Sequence, residues 1–456
     1  MNRIAGRCTA VVLLVVLLLS GVGFFVVEYF LKSQDWVMHE GSPHIYSGTN
    51  IGCGTVTDRE GYLLLDLNEN RTYAATQALR EATLHWLGDR SGYISAPAVA
   101  KYAELMAGYD PITGLYSHSG AGQASLTLSA KLQMAALEVM GDYKGTLAIY
   151  NYKTGEILCA VTTPTYDPDN VPDISGDAEA FEGVYLNRFT QSKYVPGSIF
   201  KVVTTAAALE EIADIREQTF ECTGTYDYPG QYDVTCEHAH GKLDFDSAMA
   251  QSCNCAYAAI VDQLGPETLA KYVEKYQITK PVTFDGVTTV AGNFDVSDAS
   301  AVQVAWSGIG QHKDEVNVCR FLTFMGAIAG GGKAVQPYLV SRVTNGDAVT
   351  YEASAADSER IMPQSVAAEL QAMMRNNVLE KYGAENFPDL MVCAKSGTGQ
   401  VGGDQEPNAM FAGFVLDEEY PLAFMVAVED AGYGRHVCIP ILTPVLEACM
   451  EVLDAE

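Results

Sequence analysis

The sequence predicts an α+β fold assembled around one sheet. Three observations lead there: two β-type runs early in the main body, a long helical middle, and three β-type runs near the end. The 456 residues suggest two to three domains with at least one full-sized core. With 48% apolar and 19% charged residues, general disorder is excluded. The 28 Lys+Arg against 57 Asp+Glu give a net charge of −29, and no basic run is present, which excludes nucleic acid as a partner.

The first element is a membrane segment. Residues 8–27 carry no charge, long enough for a helix to cross a bilayer. Arg3 and Arg7 precede the run, while Glu28 and Asp35 follow it. This bias predicts a cytoplasmic tail at 1–7, an anchor at 8–31 and the remaining ~420 residues outside. The small residues Ser20 to Gly23 would suit signal cleavage, but the apolar run continues through Val27, which favours an uncleaved anchor. No second apolar stretch of spanning length is evident.

Residues 32–120 read as a small pedestal, with turns at Gly41-Ser42-Pro43 and Ser91-Gly92 and an amphipathic helix over 76–87. From residue 121 the texture becomes regular, and 121–456 forms the main domain. Helical periodicity over 126–140 leads into β-type runs at 145–152 and 156–162, joined by Lys153-Thr154-Gly155 as a hairpin turn. Residues 166–182 are acidic and contain Pro, hence loop. Helices follow over 198–212, 252–264 and 316–329, the last ended by Gly330-Gly331-Gly332. Strands at 390–398, 409–416 and 422–428 precede a closing helix over 440–453.

Eleven cysteines, from Cys8 and Cys53 to Cys449, resemble no disulfide framework. Cys222 and Cys236 bracket a hairpin that turns at Pro229-Gly230 and are the one pair worth testing for a bridge. With His238 and His240 they would alternatively form a zinc site, although the spacing matches no common ligand pattern. So many exported thiols without a framework suggest a poorly oxidising habitat; finding them mostly oxidised would refute it.

Three short motifs carry chemistry. In Ser198-Ile199-Phe200-Lys201, a helix opening at Ser198 puts Lys201 on the same face. A lysine desolvated by apolar neighbours can be neutral enough to deprotonate the hydroxyl. Such a Ser/Lys spacing is expected about once by chance in a chain this long. Ser252-Cys253-Asn254 also sits at a helix start, where Ser and Asn serve as ordinary N-caps. Lys395-Ser396-Gly397-Thr398 falls on a late strand, where glycine lets a substrate backbone approach and the flanking hydroxyls and amine face an anion. Lys153-Thr154-Gly155 spells a similar motif, but lies at a hairpin turn upstream of Ser198 and is assigned no catalytic role.

Taken in order, the three motifs resemble those of penicillin-recognising serine enzymes. The likeness extends through 125–133, 145–170, 186–201, Trp306 to Gln311 and 329–337, about 330 residues in all. It is closest to class B, monofunctional penicillin-binding proteins of the short-pedestal A type, with pedestal-like segments at 54–66 and 71–88. A glycosyltransferase domain would not fit in the ~90 pedestal residues.

The resemblance implies the serine β-lactamase/transpeptidase fold, an antiparallel sheet flanked by helices plus an all-helical subdomain. It also implies acyl transfer on stem peptides ending in D-Ala-D-Ala, from a lipid-linked precursor, with β-lactams as covalent inhibitors. Ser198 would be the nucleophile and Lys201 its base. Ser252 and Lys395 would relay a proton to the leaving group, and Asn254, Ser396, Gly397 and Thr398 would bind substrate. The backbone N–H groups of Ser198 and Thr398 would form the oxyanion hole. No metal or organic cofactor is implied, and a glycan-polymerising partner of the SEDS type is.

Other readings compete. A β-lactamase needs a deacylating water, yet no Glu-x-x-Leu-Asn follows Ser252, and Ser252-Cys253-Asn254 departs from the Ser-x-Val of the lysine-carbamate group. A β-lactam sensor has no room for an effector in a tail of about 7 residues. A silent structural member is disfavoured because every motif position is filled.

Overall fold

The computed structural model describes residues 2–37, 46–47, 50–51, 54–68, 71–107, 109–112, 114–115, 122–355, 359–403 and 405–455. The Gly41-Ser42-Pro43 turn and Cys53 lie outside them.

The central sheet has five antiparallel strands in the spatial order Ile157–Thr163, Gly145–Asn151, Leu422–Val428, Asn408–Val415 and Val392–Gly399. Both ends of the main domain contribute to it, as the sequence predicts. The first four strands are buried at every position. Helices cover both faces, so these strands read as continuous apolar runs without alternation.

One face carries Leu147, Ile149, Phe411, Phe424 and Val426 against the helix Gly434–Leu453, through Cys438, Leu442 and Leu446. On the other, Tyr150, Met410, Ala412 and Met425 join a core that includes the helix Val318–Ala329. The helix Gly434–Leu453 also qualifies by length and composition as a membrane span, which corrects the expectation of one apolar stretch; its buried side shows it to be a core helix. The N-terminal helix Asn2–Val37 is long and apolar enough to cross a membrane and buries none of its most apolar window.

A second, six-stranded sheet runs Ala348–Glu352, Val340–Asn345, Gly122–Leu126, Thr55–Thr57, Leu63–Asp66 and Thr72–Tyr73. Thr55–Thr57 pairs in parallel with Gly122–Leu126, so segments on both sides of residue 120 share this sheet. Gly122–Leu126 also corrects the helix expected from 126: the helix is Ala130–Met140. Leu126 and Leu128, both fully buried, are two apart, the strand's period, while Leu128 and Leu132 are four apart, so the apolar pattern alone does not mark where the strand ends and the helix begins.

Candidate active site

The nucleophile turn is built by Gly197. Its φ of 54° lies in the left-handed region, its N–H donates to the Gly310 carbonyl at 2.8 Å, and a Cβ there would stand 2.3 Å from the Thr398 carbonyl oxygen. Only glycine lets the turn lie this close to the edge strand Val392–Gly399. Ser198 follows in a 3₁₀ turn, Gly197–Phe200, and the α-helix begins at Lys201, Lys201–Glu211. The expected helix start at Ser198 is therefore corrected to a tighter turn, in which residues three apart eclipse one another. Ser198 is half-buried and Lys201 fully buried.

Lys201 Nζ donates to the Ser252 carbonyl at 2.6 Å, Asn254 Oδ1 at 2.7 Å and Ser252 Oγ at 3.1 Å. It also lies 5.2 Å from the Tyr257 ring centre. Among the described residues, no hydrogen bond joins it to the Ser198 hydroxyl; all three ammonium donors are engaged elsewhere. Burial lowers its pKa to about 8, against the opposite pull of the Cys253, Cys236 and Cys255 thiols.

Lys395 Nζ reaches the same Ser252 hydroxyl at 3.1 Å and the Ser396 carbonyl at 3.0 Å. Burial first, then the Lys201 charge, holds its pKa well below the usual lysine range. Among the described residues no carboxylate pairs with either amine, so one positive charge at most is stable here. Both amines donate to the Ser252 hydroxyl, which links them.

Ser252 has a φ of 54°, strained for a residue other than glycine. The helix Asn254–Lys275 is capped by Cys253, whose sulfur accepts from Ala256 N–H at 3.4 Å, so the ordinary N-cap role expected of Ser252 and Asn254 is not what they perform. Asn254 instead accepts from Lys201 and donates to the Thr235 carbonyl at 2.8 Å.

Strand alternation sets Lys395, Gly397 and Gly399 towards the nucleophile turn, where a Cβ on Gly397 would stand 2.6 Å from the Pro196 carbonyl oxygen. Ser396 and Thr398 take the opposite face. The Ser396 hydroxyl meets Tyr382 Oη at 3.0 Å, and Ser396 N–H donates to the same oxygen at 2.8 Å. The amine and the two hydroxyls thus do not share a face, and an anion meets both sets only at the open edge of the strand. Gln311 Nε2 donates to the Thr398 carbonyl at 3.0 Å.

The structure therefore gathers Ser198, Lys201, Ser252, Asn254, Lys395, Gly397 and the Thr398 backbone around one cleft, with the Ser396 and Thr398 side chains on the strand's opposite face. Lys153-Thr154-Gly155 is the turn between Gly145–Asn151 and Ile157–Thr163, at the opposite edge of the sheet. Sequence reasoning missed Tyr257, which stands three residues after Asn254, and Tyr382, for which the sequence carries no signal. The Cys222–Cys236 pair is not bridged: both thiols are free and lie in different ladders of the hairpin, Cys222 opposite Gly241 and Cys236 beyond Thr235.

Residues 145–447 match the family described as penicillin binding protein transpeptidase domain. The peptidoglycan D,D-transpeptidase PbpA of Mycolicibacterium smegmatis is 28% identical over 361 residues, 73% of this chain and 70% of that protein. Stage V sporulation protein D of Bacillus subtilis is 26% identical over 333 residues, 68% of this chain and 50% of that protein. Among solved structures, the D,D-transpeptidase domain of a peptidoglycan glycosyltransferase from Eggerthella lenta aligns with a TM-score of 0.75 at 23% identity, covering 88% of this chain and 98% of that one. The penicillin G acyl-enzyme complex of penicillin-binding protein A from M. tuberculosis aligns with a TM-score of 0.75 at 21% identity, covering 88% and 99%. At these identities the solved structures bear on the fold alone.

Proposed function

This chain belongs to the penicillin-binding protein transpeptidase family and is a serine-type peptidoglycan D,D-transpeptidase; we propose that Ser198 is its nucleophile, working on D-Ala-D-Ala stem peptides presented along the edge strand. The observation that carries the assignment is the buried pair of lysines bonded to one serine hydroxyl beside the Ser198 turn.

Val392–Gly399 is an edge strand, so a stem peptide can add to it as one more strand, with Asn254 holding its backbone from the other side of the cleft. Lys201 must shed its proton before it can take one from Ser198. The short step from a pKa of about 8 to neutral pH keeps a usable fraction of free amine. As the ester forms, the proton passes from Lys201 through Ser252 towards the leaving D-Ala nitrogen, with Lys395 holding the far end of the relay. The N–H groups of Ser198 and Thr398 stabilise the oxyanion, typically worth a few kcal/mol per donor. The amine of a neighbouring stem then resolves the ester, with D,D-carboxypeptidase turnover as a side reaction when water replaces it.

The proposal extends to topology and partners. The N-terminal helix is a candidate span, and Arg3 and Arg7 at its start support a single-pass anchor with the catalytic body outside the cell and residues 32–120 as its pedestal. A SEDS-type glycan polymerase is the expected partner through that anchor. Co-purification of such a polymerase with the full chain, lost when residues 8–31 are exchanged for an unrelated span, tests this; retention would contradict it.

Fluorescent penicillin tests the chemistry. A stable adduct on the parent and none on Ser198→Ala supports the transpeptidase, fast drug hydrolysis supports a β-lactamase, and a parent that stays unlabelled removes both.

A further inference from the structure

We propose that Cys222, Cys236, His240 and Cys253 form a tetrahedral zinc site that clamps the hairpin of residues 219–244 to the Ser252–Asn254 loop of the active site. The four ligand atoms lie within 4.8 Å of one another. They come from two neighbouring segments: three from the hairpin and one from inside the Ser-x-Asn motif.

Two of the spacings match a metal's coordination shell, and the rest lie within 4.8 Å. Zn–S bonds of about 2.3 Å and Zn–N bonds of about 2.0 Å at tetrahedral angles put two sulfurs about 3.8 Å apart, and a sulfur and a nitrogen about 3.5 Å apart. Cys236 Sγ and Cys253 Sγ are 3.8 Å apart, and Cys222 Sγ and His240 Nδ1 are 3.4 Å apart. A disulfide needs about 2.05 Å between sulfurs, which no pair here approaches. Ordinary buried cysteines fill apolar gaps singly. Three thiols converging on one imidazole nitrogen do not fit that pattern.

The surrounding bonds are those expected of a metal thiolate. Cys236 Sγ accepts two N–H groups at the start of the following helix, from Asn254 at 3.2 Å and Cys255 at 3.4 Å, while Cys253 Sγ accepts from Ala256. Such N–H···S bonds hold ligands in place and stabilise their negative charge. Cys255 Sγ, 3.5 Å from Cys236 Sγ, stays outside the set, as does exposed His238.

The consequence reaches the catalytic groups without entering the chemistry. Cys253 lies between Ser252, which sits at a strained φ, and Asn254; both bond to Lys201. Pinning Cys253 to the hairpin holds that loop against Lys201, so the metal acts as a positioning device.

The test uses the full chain in detergent, purified without chelator under reducing conditions. Elemental analysis should give about one zinc per chain, falling to under a quarter in Cys222→Ser and His240→Gln and staying near one in Cys255→Ser and His238→Gln. Stripping with a chelator should lower the melting temperature and slow penicillin labelling at least tenfold, and zinc ions alone should restore both. Cobalt substitution should give the visible absorption of a tetrahedral thiolate site. The metal count needs no activity, so it stands apart from the transpeptidase assignment. The proposal is overturned if no zinc co-purifies and added zinc shifts neither melting nor thiol reactivity, if His240→Gln keeps its full zinc, or if mass mapping of the fresh protein finds a disulfide among these cysteines.

Discussion

Replacing Gly397 with alanine should disable acylation while leaving the protein folded. The new methyl carbon would stand 2.6 Å from the Pro196 carbonyl oxygen, 3.0 Å from Ile199 Cγ2 and 3.1 Å from the Ile199 nitrogen. A methyl carbon needs about 3.3 Å from a carbonyl oxygen, so edge strand and nucleophile turn must part by roughly 0.7 Å. Neither side can yield cheaply. The strand is paired to its neighbour along its whole length, and the turn is held by the Gly197 to Gly310 hydrogen bond. Overpacking of this kind costs about 1–3 kcal/mol, which an otherwise intact domain survives. The same displacement widens the space between the Ser198 and Thr398 amides, and misplacements approaching 1 Å cost on the order of 30- to 100-fold in rate. Stopped-flow labelling with fluorescent penicillin gives the second-order acylation constant, and a thermal melt run beside it reports folding. A folded Gly397→Ala protein acylating within threefold of the parent would refute the account of how strand and turn cooperate.

Three further outcomes follow from the site. Acylation should rise with pH, because the reactive form of Lys201 is the neutral amine and its pKa is lowered to about 8 by burial. The groups facing it are Ser252, Asn254, the Tyr257 ring, Lys395 and the Cys236, Cys253 and Cys255 thiols. The gain from pH 7 to 9 should be roughly tenfold, and a flat profile would contradict the assignment. Tyr382→Phe removes the hydroxyl that accepts the Ser396 N–H and meets its side chain. It should weaken the initial binding of β-lactam about fivefold to twentyfold and leave the chemical step near the parent rate, as a saturation analysis would resolve. Lys153→Ala, at the hairpin turn, should acylate within twofold of the parent, and a larger loss would show that the turn does belong to the site.

Much of this site was legible because its motifs are local. Ser198 and Lys201 are three residues apart, Ser252 and Asn254 two, and the Lys395 strand is continuous, so neighbouring letters carry the geometry. Sheet strands at both ends of the main domain were legible for a related reason: burial on both faces writes unbroken apolar runs. The six-stranded sheet was not, because its strands are two to six residues long and one of its pairings, Val340–Asn345 with Gly122–Leu126, joins residues more than two hundred apart in sequence. Tyr382 meets Ser396 only after a π-turn and a 3₁₀ turn bring it back to the strand.

The cysteines show the limit most sharply. Reading along the chain pairs Cys222 with Cys236, since both flank one hairpin. In space the partner that matters is Cys253, hidden inside a motif already claimed for catalysis. His240 rather than His238 completes the group, because only the half-buried ring turns back towards Cys222.

The most direct measurement is tandem mass spectrometry of the peptide carrying residues 198–201 after a brief exposure to benzylpenicillin, on the parent and on Lys201→Ala. The account predicts one penicilloyl group on Ser198 in the parent and at least a hundredfold slower appearance in the variant. An adduct on another residue, or equal rates in the two proteins, would contradict it.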